Sequence, residues 1–402
     1  TGLTSVCVGS TISLSGSGIP ASSDPWTSDA SGFATIDNSG VVTGVSSGTA
    51  NITYTDDNGC SVSTTITVNA LPTITGLTSV CVGSTISLSG SGTAASSDPW
   101  TTDAPGVASV DNSGVVTGVS SGTANITYTD DNGCSASTVI TVNALPTITG
   151  LTSVCVGSTI PLSGSGTAAS SDPWTSDATG VASVDNNGVV TGVISGTANI
   201  TYLDDNGCSA THQVTVNSLP NDASNGFTGN TICYPDNNPT INFDPIDASF
   251  ITPYTLIISD GTNNYTINIT SSSSTVYTIT APLAPLTNDG VHALSIVSIT
   301  NGNGCVRNSG FGDGTASVTT RLHPTTADAN TGGGAYPAMC LGGTTTLSAN
   351  TPTIGTGTWS ITSGPDNSTS QFSNVNAPNA IFTPSASGTF SLRWRITNGP
   401  CA

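Results

Sequence analysis

The chain has 402 residues with 24 acidic side chains, all of them Asp, four Arg, no Lys and a formal net charge of −20. This balance argues against a nucleic-acid partner, because phosphate binding is built from Lys and Arg. The chain also lacks Glu and is rich in Gly, Thr, Ser and Val. Since Glu and Lys are strong helix formers, their absence predicts an all-β protein.

The first half of the chain consists of three consecutive copies of one sequence, at 1–74, 75–148 and 149–222. The first and second copies agree at 65 of 74 positions, and the second and third agree at 61 of 74. This period is longer than that of solenoid units, so each repeat is large enough to be a domain. Near-identical neighbours indicate an array, because an enzyme rarely needs three copies of one site in series.

Within each repeat the pattern predicts short antiparallel strands. In repeat one, Ile52 and Tyr54 alternate with polar residues, and a second alternating run follows the sequence Asp-Asp-Asn-Gly. Asn58-Gly59 between two alternating runs is a hairpin signal, since Asn and Gly tolerate the positive φ of a tight turn. A second hairpin is predicted at Gly40. The aromatic residues Trp26, Trp100 and Trp174 are expected in the core rather than at a ligand site.

The run WTSD…ATIDNSGVVTGVSSGTANITY resembles the signature of bacterial immunoglobulin-like domains of group 2, over essentially all of the three repeats. This resemblance implies Ig-like β-sandwiches used as a modular stalk or adhesive arm. The VCVGSTISL opening and the two cysteines of each repeat resemble the giant secreted adhesins of Bacteroidetes, including gliding-motility adhesins.

Five domains are expected: residues 1–74, 75–148, 149–220, a divergent Ig-like domain at 221–323, and an Ig- or PKD-like domain at 324–402. After Cys401 only Ala402 follows, so the fifth domain is expected to be cut short. The joins are short, and Pro72 and Pro146 restrict their backbone. The sequence therefore predicts tandem β-sandwiches arranged as an extended rod.

Ten cysteines, two in each domain, predict disulfides and an extracellular location. We expect five bonds within domains: Cys7–Cys60, Cys81–Cys134, Cys155–Cys208, Cys233–Cys305 and Cys340–Cys401. The two strand ends that carry these cysteines are expected at the same end of a sandwich, within the reach of a bridge. The competing pattern joins Cys60 to Cys81 across the boundary between two repeats.

Few side chains could act in catalysis, and we predict that the chain is not an enzyme. His212, His292 and His323 lie in three different sequence contexts with no nucleophile motif beside them, and zinc spacings are absent. Acidic turn residues are weak candidate ligands for calcium, with solvated turn acids as the alternative. These candidates are Asp56, Asp57, Asp130, Asp131, Asp204 and Asp205.

Together these features predict a structural stalk or spacer segment of a large bacterial cell-surface adhesin. The alternative is a glycan- or receptor-binding module in domains four and five, for which Trp359, Tyr336 and Trp394 are candidate exposed aromatics. Expected partners are an extracellular surface, a glycan or other adhesin segments. Secretion and anchoring machinery would act through parts outside this segment. No direct membrane insertion is expected, because no apolar run approaches the length that spans a bilayer as a helix.

Overall fold

A computed structural model describes residues 1–220, 227–236, 238–243, 253–270, 276–278, 288–312 and 314–401. The chain divides into two compact units, Thr1–Val216 and Asn217–Ala402. Each unit is built from β-strands, as the composition predicts. In the described part of the chain, the helical element is one short 3-10 turn at Thr369–Gln371.

The first unit contains the three repeats, each a sandwich of two sheets. Repeat one has the strands Ser5–Cys7 (β1), Thr11–Ser13 (β2), Trp26–Ser28 (β3), Ala34–Ile36 (β4), Val41–Gly44 (β5), Gly48–Thr55 (β6) and Ser61–Asn69 (β7). Repeat two has Ile74–Gly76 (β8), Ser79–Cys81 (β9), Thr85–Gly90 (β10), Trp100–Thr102 (β11), Ala108–Val110 (β12), Val115–Gly118 (β13), Gly122–Thr129 (β14) and Ser135–Asn143 (β15). Repeat three has Ile148–Gly150 (β16), Ser153–Cys155 (β17), Thr159–Gly164 (β18), Trp174–Ser176 (β19), Ala182–Val184 (β20), Val189–Gly192 (β21), Gly196–Leu203 (β22) and Ser209–Asn217 (β23).

One sheet of each repeat has four strands, in the order β1-β7-β6-β3 in repeat one. The other sheet contains β2-β5-β4, and in repeats two and three it gains a first strand, β8 or β16. The predicted hairpin joins β6 to β7, with Gly59 at φ 79° in its turn. The second predicted hairpin also forms, where Gly40 at φ 83° lies between β4 and β5.

The sandwich core is filled by the inward-facing residues of both sheets. Ile52, Ile66 and Val42 are fully buried in repeat one. Trp26 packs against Tyr54 with a ring separation of 4.7 Å, and Trp100–Tyr128 and Trp174–Tyr202 repeat this pair at the same separation. The tryptophans are therefore core residues, as the sequence predicts.

The first and last strands of a repeat run parallel, a feature that the alternation of residues does not reveal. β1 pairs with β7 in a register that places Cys7 beside Asn69, and β9 pairs with β15 in the same way. Cys7 therefore lies at the C-terminal end of its domain, where the chain leaves. Cys60 lies just before β7, nine residues from Asn69, which corresponds to about 30 Å along a strand. Cys7 and Cys60, which are predicted to be bonded, thus lie at opposite ends of one sandwich.

The second unit contains the remaining two β-domains. The first of them has Thr228–Gly229 (β24), Thr231–Tyr234 (β25), Thr240–Asn242 (β26), Tyr254–Ser259 (β27), Asn264–Ile269 (β28), Val276–Thr278 (β29), Gly290–Thr300 (β30), Val306–Arg307 (β31) and Thr315–Leu322 (β32). The second has Thr345–Thr346 (β33), Thr356–Ser363 (β34), Ile381–Phe382 (β35) and Ser391–Thr397 (β36).

Domain four repeats the parallel closure of the repeats, because β25 pairs parallel with β32 and places Cys233 beside Arg321. Its larger sheet has the order β25-β32-β30-β27-β28, with β31 on β30. Domain five pairs β34 with β36 and β33 with β35. Part of the predicted strand at 275–280 lies outside the described residues.

Candidate functional site: the joints between domains

The cysteine that follows the hairpin turn lies at the N-terminal end of each repeat. In repeat one, the Oδ1 atom of Asp56 accepts hydrogen bonds from the backbone N–H groups of Asn58 and Cys60, at 3.0 and 2.9 Å. Asp130 and Asp204 hold Cys134 and Cys208 in the same way, at 2.8 and 2.7 Å. We call Cys60, Cys134 and Cys208, and the cysteines that follow the equivalent turn in other domains, the second cysteines. The carboxylate fixes the turn, and the turn presents the cysteine toward the preceding domain.

The cysteine of the opening strand, which we call the first cysteine, lies at the opposite end of the repeat. Cys7 of repeat one is bonded to Cys134 of repeat two, with 5.6 Å between Cα atoms. Cys81 of repeat two is bonded to Cys208 of repeat three, again at 5.6 Å. Each disulfide therefore joins the C-terminal end of one repeat to the N-terminal end of the next. Cys134 and Cys208 are 1% and 0% exposed, so the bonds lie in covered joints.

This arrangement corrects the predicted disulfides. The pairs Cys7–Cys60, Cys81–Cys134 and Cys155–Cys208 are wrong, because the partners are Cys134 for Cys7 and Cys208 for Cys81. The competing pair Cys60–Cys81 is wrong for the same reason. The physical cause is the parallel pairing of β1 with β7, which carries the first cysteine to the far end of the sandwich. Cys155 is also disulfide-bonded.

The joint between domains four and five follows the same rule. Cys233, a first cysteine, is bonded to Cys401, with 5.5 Å between Cα atoms. The predicted pairs Cys233–Cys305 and Cys340–Cys401 are therefore wrong. Cys305, which follows an Asn-Gly turn and whose N–H donates to Asn301 at 3.0 Å, is disulfide-bonded.

Polar contacts reinforce this fourth-to-fifth joint. Asn398 of domain five donates to the carboxylate of Asp289 and to the carbonyl of Leu322, at 2.9 and 3.0 Å. Asp289 also pairs with Arg321 at 3.3 Å. The hydrogen bond from Asn398 and that from the N–H of Leu322, with the nearby Arg321 guanidinium, lower the pKa of Asp289. The ion pair is one-third exposed and contributes little alone, so the disulfide is the main link.

Two cysteines differ from the others. Cys60 and Cys340 are free and exposed, so the prediction that both form disulfides is wrong. Cys60 is the second cysteine of repeat one. Cys340 begins the run Cys-Leu-Gly-Gly-Thr, which matches the Cys-Val-Gly-Ser-Thr run that starts at Cys7. Cys340 is therefore a first cysteine by its local sequence.

The calcium candidates act as turn residues in this structure. Asp56, Asp130 and Asp204 accept backbone hydrogen bonds within the hairpin turn, while Asp57 accepts from the side chain of Asn58 at 3.0 Å. Asp131 and Asp205 make the corresponding contacts with Asn132 and Asn206. Across the described residues, no group of three or more His, Cys, Asp or Glu side chains is placed to hold a metal ion. Calcium binding stays a prediction.

Two of the three aromatic candidates of domain five are core residues. Trp359 and Trp394 are 1% and 3% exposed, and their rings are 5.2 Å apart. The hydroxyl of Tyr336 donates to the carbonyl of Ala329 and accepts from the N–H of Ser348, so it supports the local backbone. The interpretation of Trp359 and Trp394 as exposed ligand-stacking groups is therefore wrong, whereas Tyr336 is half-buried.

The histidines remain apart, as their sequence contexts indicate. His292 contacts the hydroxyl of Thr320, and His323 lies 2.9 Å from Asp236. His212 contacts the carbonyl of Leu151 in the first unit. These contacts tie strands and loops together. Within the described part of the chain, no helix is long and apolar enough to cross a membrane.

Comparison with known proteins identifies the repeats. A family model described as Bacterial Ig-like domain (group 2) matches residues 3–71, 72–142 and 146–216. Together these ranges make up more than half of the chain. No curated protein sequence matches the chain significantly.

Solved structures of several multidomain surface proteins are similar in part. Invasin, a bacterial integrin-binding protein, is 15% identical over 70% of this chain and 76% of its own, with a TM-score of 0.29. A Ca²⁺-stabilized adhesin with which an Antarctic bacterium binds ice is 18% identical over 78% and 93%, with a TM-score of 0.25. The Down Syndrome Cell Adhesion Molecule is 12% identical over 98% of this chain, which spans 58% of that structure, with a TM-score of 0.22. At these TM-scores the likenesses carry no argument about function.

Proposed function

We propose that this chain, which belongs to the bacterial Ig-like domain (group 2) family, is a stiff stalk segment of a large bacterial cell-surface adhesin. The observation that carries the proposal is the staggered disulfide pattern. Cys7–Cys134, Cys81–Cys208 and Cys233–Cys401 each cross from one domain to the next. These joints therefore have two covalent connections, the backbone and the disulfide.

Two connections at separate points of one interface restrict bending and twisting far more than a single linker does. Buried prolines in the joins, Pro72 and Pro146, add to this restriction. The disulfides also limit stretching. Between Cys7 and Cys208 the backbone runs through about 201 residues, whereas the path through both disulfides contains about 53, each extending at most about 3.5 Å. A stalk that transmits tension needs this resistance to bending and extension.

The remaining features agree with an extracellular structural role. Disulfides persist in oxidising compartments, and a charge of −20 keeps neighbouring acidic modules apart. We propose a location on the bacterial surface, with an extracellular surface, a glycan or other adhesin segments as partners, and no enzymatic activity. The resemblance of the cysteine-bearing opening to Bacteroidetes gliding adhesins suggests that class of adhesin. The ligand-binding alternative in domains four and five has lost two of its three aromatic candidates, since Trp359 and Trp394 are buried.

The stiffness of a joint can be measured with two spin labels on the full chain. The labels are attached by click chemistry to reactive residues introduced at Thr27 and Thr101, which are exposed and occupy equivalent positions. The distance between the two labels reports on the joint between repeats one and two. We expect a narrow distance distribution that broadens in the C7S/C134S double variant. A label pair within repeat two, at Thr101 and Thr141, is the matched control and should not change. If the distribution across the joint is equally narrow without the disulfide, or equally broad with it, the stalk proposal fails.

A further inference from the structure

Two strands of repeat two, β9 and β15, lie side by side and run parallel from its N-terminal end to its C-terminal end. Val80 of β9 lies beside Val142 of β15, and both side chains are buried in the core. The N–H group of Thr141 donates to the carbonyl of Thr78 at 2.9 Å, just before the paired residues. Both strands therefore lead from the joint with repeat one to the joint with repeat three.

Each of these strands is covalently attached to a different neighbour at each of its ends. β15 begins at Ser135, directly after Cys134, which is bonded to Cys7 of repeat one. The C-terminal end of β15 continues through the backbone into repeat three. β9 is reached through the backbone from repeat one and ends at Cys81, which is bonded to Cys208 of repeat three. We call these two covalent paths across repeat two the first strap, through β15, and the second strap, through β9.

The straps are short compared with the whole repeat. From Cys134 to the start of repeat three at Thr149 the first strap has about 15 residues, which reach at most about 54 Å when straight. The nine residues of β15 already cover about 30 Å in the fold. The second strap has about 12 residues between Asn69 and Cys81. Residues 82–133, which we call the body of repeat two, lie on neither strap, so unfolding of the body adds little length to either.

The disulfides also change how tension acts on β9 and β15. Without them, tension would enter repeat two at the N-terminal end of β9 and leave at the C-terminal end of β15. It would then pass between the strands through their hydrogen bonds and through the core. With the disulfides, each strand is pulled along its own axis from both of its ends. This pull acts on covalent bonds, whereas the fold resists separation only through packing and through hydrogen bonds of modest net strength.

We propose that β9 and β15 of repeat two are covalent straps that carry tension from repeat one to repeat three past the body of the domain. Under tension the body keeps its fold, and its unfolding would lengthen the stalk by no more than the slack of the straps. This inference rests on the proposed stalk function, because it assumes that tension acts along the repeats. It adds a device to that function, since either strap holds the repeats together when the other is broken.

Single-molecule stretching of the full chain tests the two straps separately. The free thiols are first alkylated, so that they cannot exchange with the disulfides under test. Handles are attached by click chemistry to reactive residues introduced at exposed positions. A pair at Ser10 and Thr149 spans the first strap, and a pair at Thr67 and Ser209 spans the second. The quantity measured is the largest separation that each pair reaches as the force rises.

Each handle pair should respond to one disulfide only. In the wild-type chain the first pair is joined through Cys7–Cys134 by about 18 residues, and the second pair through Cys81–Cys208 by about 15. Neither separation should therefore exceed about 75 Å before a covalent bond breaks. The C7S/C134S variant should raise the limit of the first pair about sevenfold, to the length of about 130 residues, and leave the second pair unchanged. The C81S/C208S variant should do the reverse, so each variant is the matched control for the other.

The fold of the body under tension is the second readout. A donor and an acceptor dye at Thr101 and Thr123, two exposed positions of the body, report its fold while the first handle pair is stretched. In the wild-type chain and in C81S/C208S the dyes should stay close, because the first strap is intact. In C7S/C134S/C81S/C208S they should separate at a lower force, because tension then passes through the body. If this last variant does not fold, the crossed response of the two handle pairs still decides.

Three results would overturn the proposal. The first is a wild-type separation far beyond the limit of the straps. The second is an equal response of both handle pairs to each pair of substitutions. The third is separation of the dyes at the same force in the wild-type chain and in the variant that lacks both disulfides.

Failure of this test is distinguishable from failure of the proposed function. The spin labels measure the stiffness of the joint between repeats one and two without load, whereas the handles measure length under tension. A flexible joint with short limits would contradict the stalk proposal and not the straps. A stiff joint beside a repeat that lengthens freely would contradict the straps alone.

Discussion

Repeats one and two agree at 65 of 74 positions, yet their N-terminal ends have different environments. In repeat two, Cys134 is bonded and 1% exposed and Trp100 is 6% exposed. In repeat one, Cys60 is free and exposed and Trp26 is only half-buried. The second cysteine of repeat two thus takes its covered environment from repeat one, to which it is bonded.

The largest expected difference in stability is between variants that lack different cysteines. The C81S/C208S variant loses a bond that closes a sequence separation of 127 residues. In the chain-entropy model such a bond stabilises the folded chain by about 5 kcal/mol. The C60S variant removes a thiol that makes no bond, so its cost should stay within about 0.5 kcal/mol. Urea unfolding of both variants without reductant, followed by tryptophan fluorescence, measures the difference. Equal midpoints would show that the joint disulfide contributes nothing.

A steric substitution should destabilise the two repeats to different extents, with a smaller difference than that expected from cysteine removal. A Cβ atom added at Gly90 would lie 2.3 Å from the ring of Tyr128, and one at Gly16 would lie 2.5 Å from the ring of Tyr54. Such overpacking costs about 1–3 kcal/mol when the neighbours cannot move.

In repeat one a cavity of about 280 Å³ borders Tyr54 and Gly16, so in this chain the ring of Tyr54 has space to shift. We therefore expect Gly90→Ala to destabilise the chain more than Gly16→Ala does. The two thermal unfolding midpoints report the order, and a larger loss for Gly16→Ala would contradict the account of the cavity.

The smallest expected effect is one that the two repeats should share. The carboxylate of Asp103 accepts from the backbone N–H and the side chain of Asn125, at 2.8 and 2.6 Å, and Asp29 does the same with Asn51. These hydrogen bonds lower the pKa of both carboxyl groups. A lowered pKa in the folded state stabilises the protein above the unfolded value near 4, and this stabilisation is lost as the pH falls further.

Asp29→Asn and Asp103→Asn should therefore reduce the acid sensitivity of unfolding slightly and to the same extent, because the two carboxylates accept the same hydrogen bonds. Acid unfolding curves for the two variants measure this effect. A clear difference between the variants would mean that the neighbouring domain also affects these strands.

Local structure could be predicted from the sequence because it depends on local chemistry. The alternation around Ile52 and Tyr54 predicts β6, and Asn58-Gly59 predicts the turn that follows it. The burial of Trp26, Trp100 and Trp174 follows from the same strand pattern. Each of these features depends on residues that are close in the chain.

The disulfides could not be predicted in this way. Cys60 and Cys134 have the same surrounding sequence, so no local signal tells Cys7 which of them is its partner. The information lies in the parallel pairing of Ser5–Cys7 with the last strand, a contact between segments at opposite ends of the repeat sequence. The parallel pairing of the first and last strands places Cys7 at the C-terminal end of its domain. This position favours a bond to the next repeat.

The pairing of the cysteines in the first two repeats tests the central claim most directly. Digestion of the non-reduced full chain, followed by mass spectrometry, should yield a peptide that links Cys7 to Cys134 and another that links Cys81 to Cys208. Peptides that span a few more residues can be told apart: Ile19-Pro20 follows Cys7 where Thr93-Ala94 follows Cys81, Val62 marks Cys60 where Ala136 marks Cys134, and Thr129 precedes Cys134 where Leu203 precedes Cys208. A peptide that links Cys7 to Cys60, or Cys81 to Cys134, would place the bonds within domains and contradict the account of covalently locked joints.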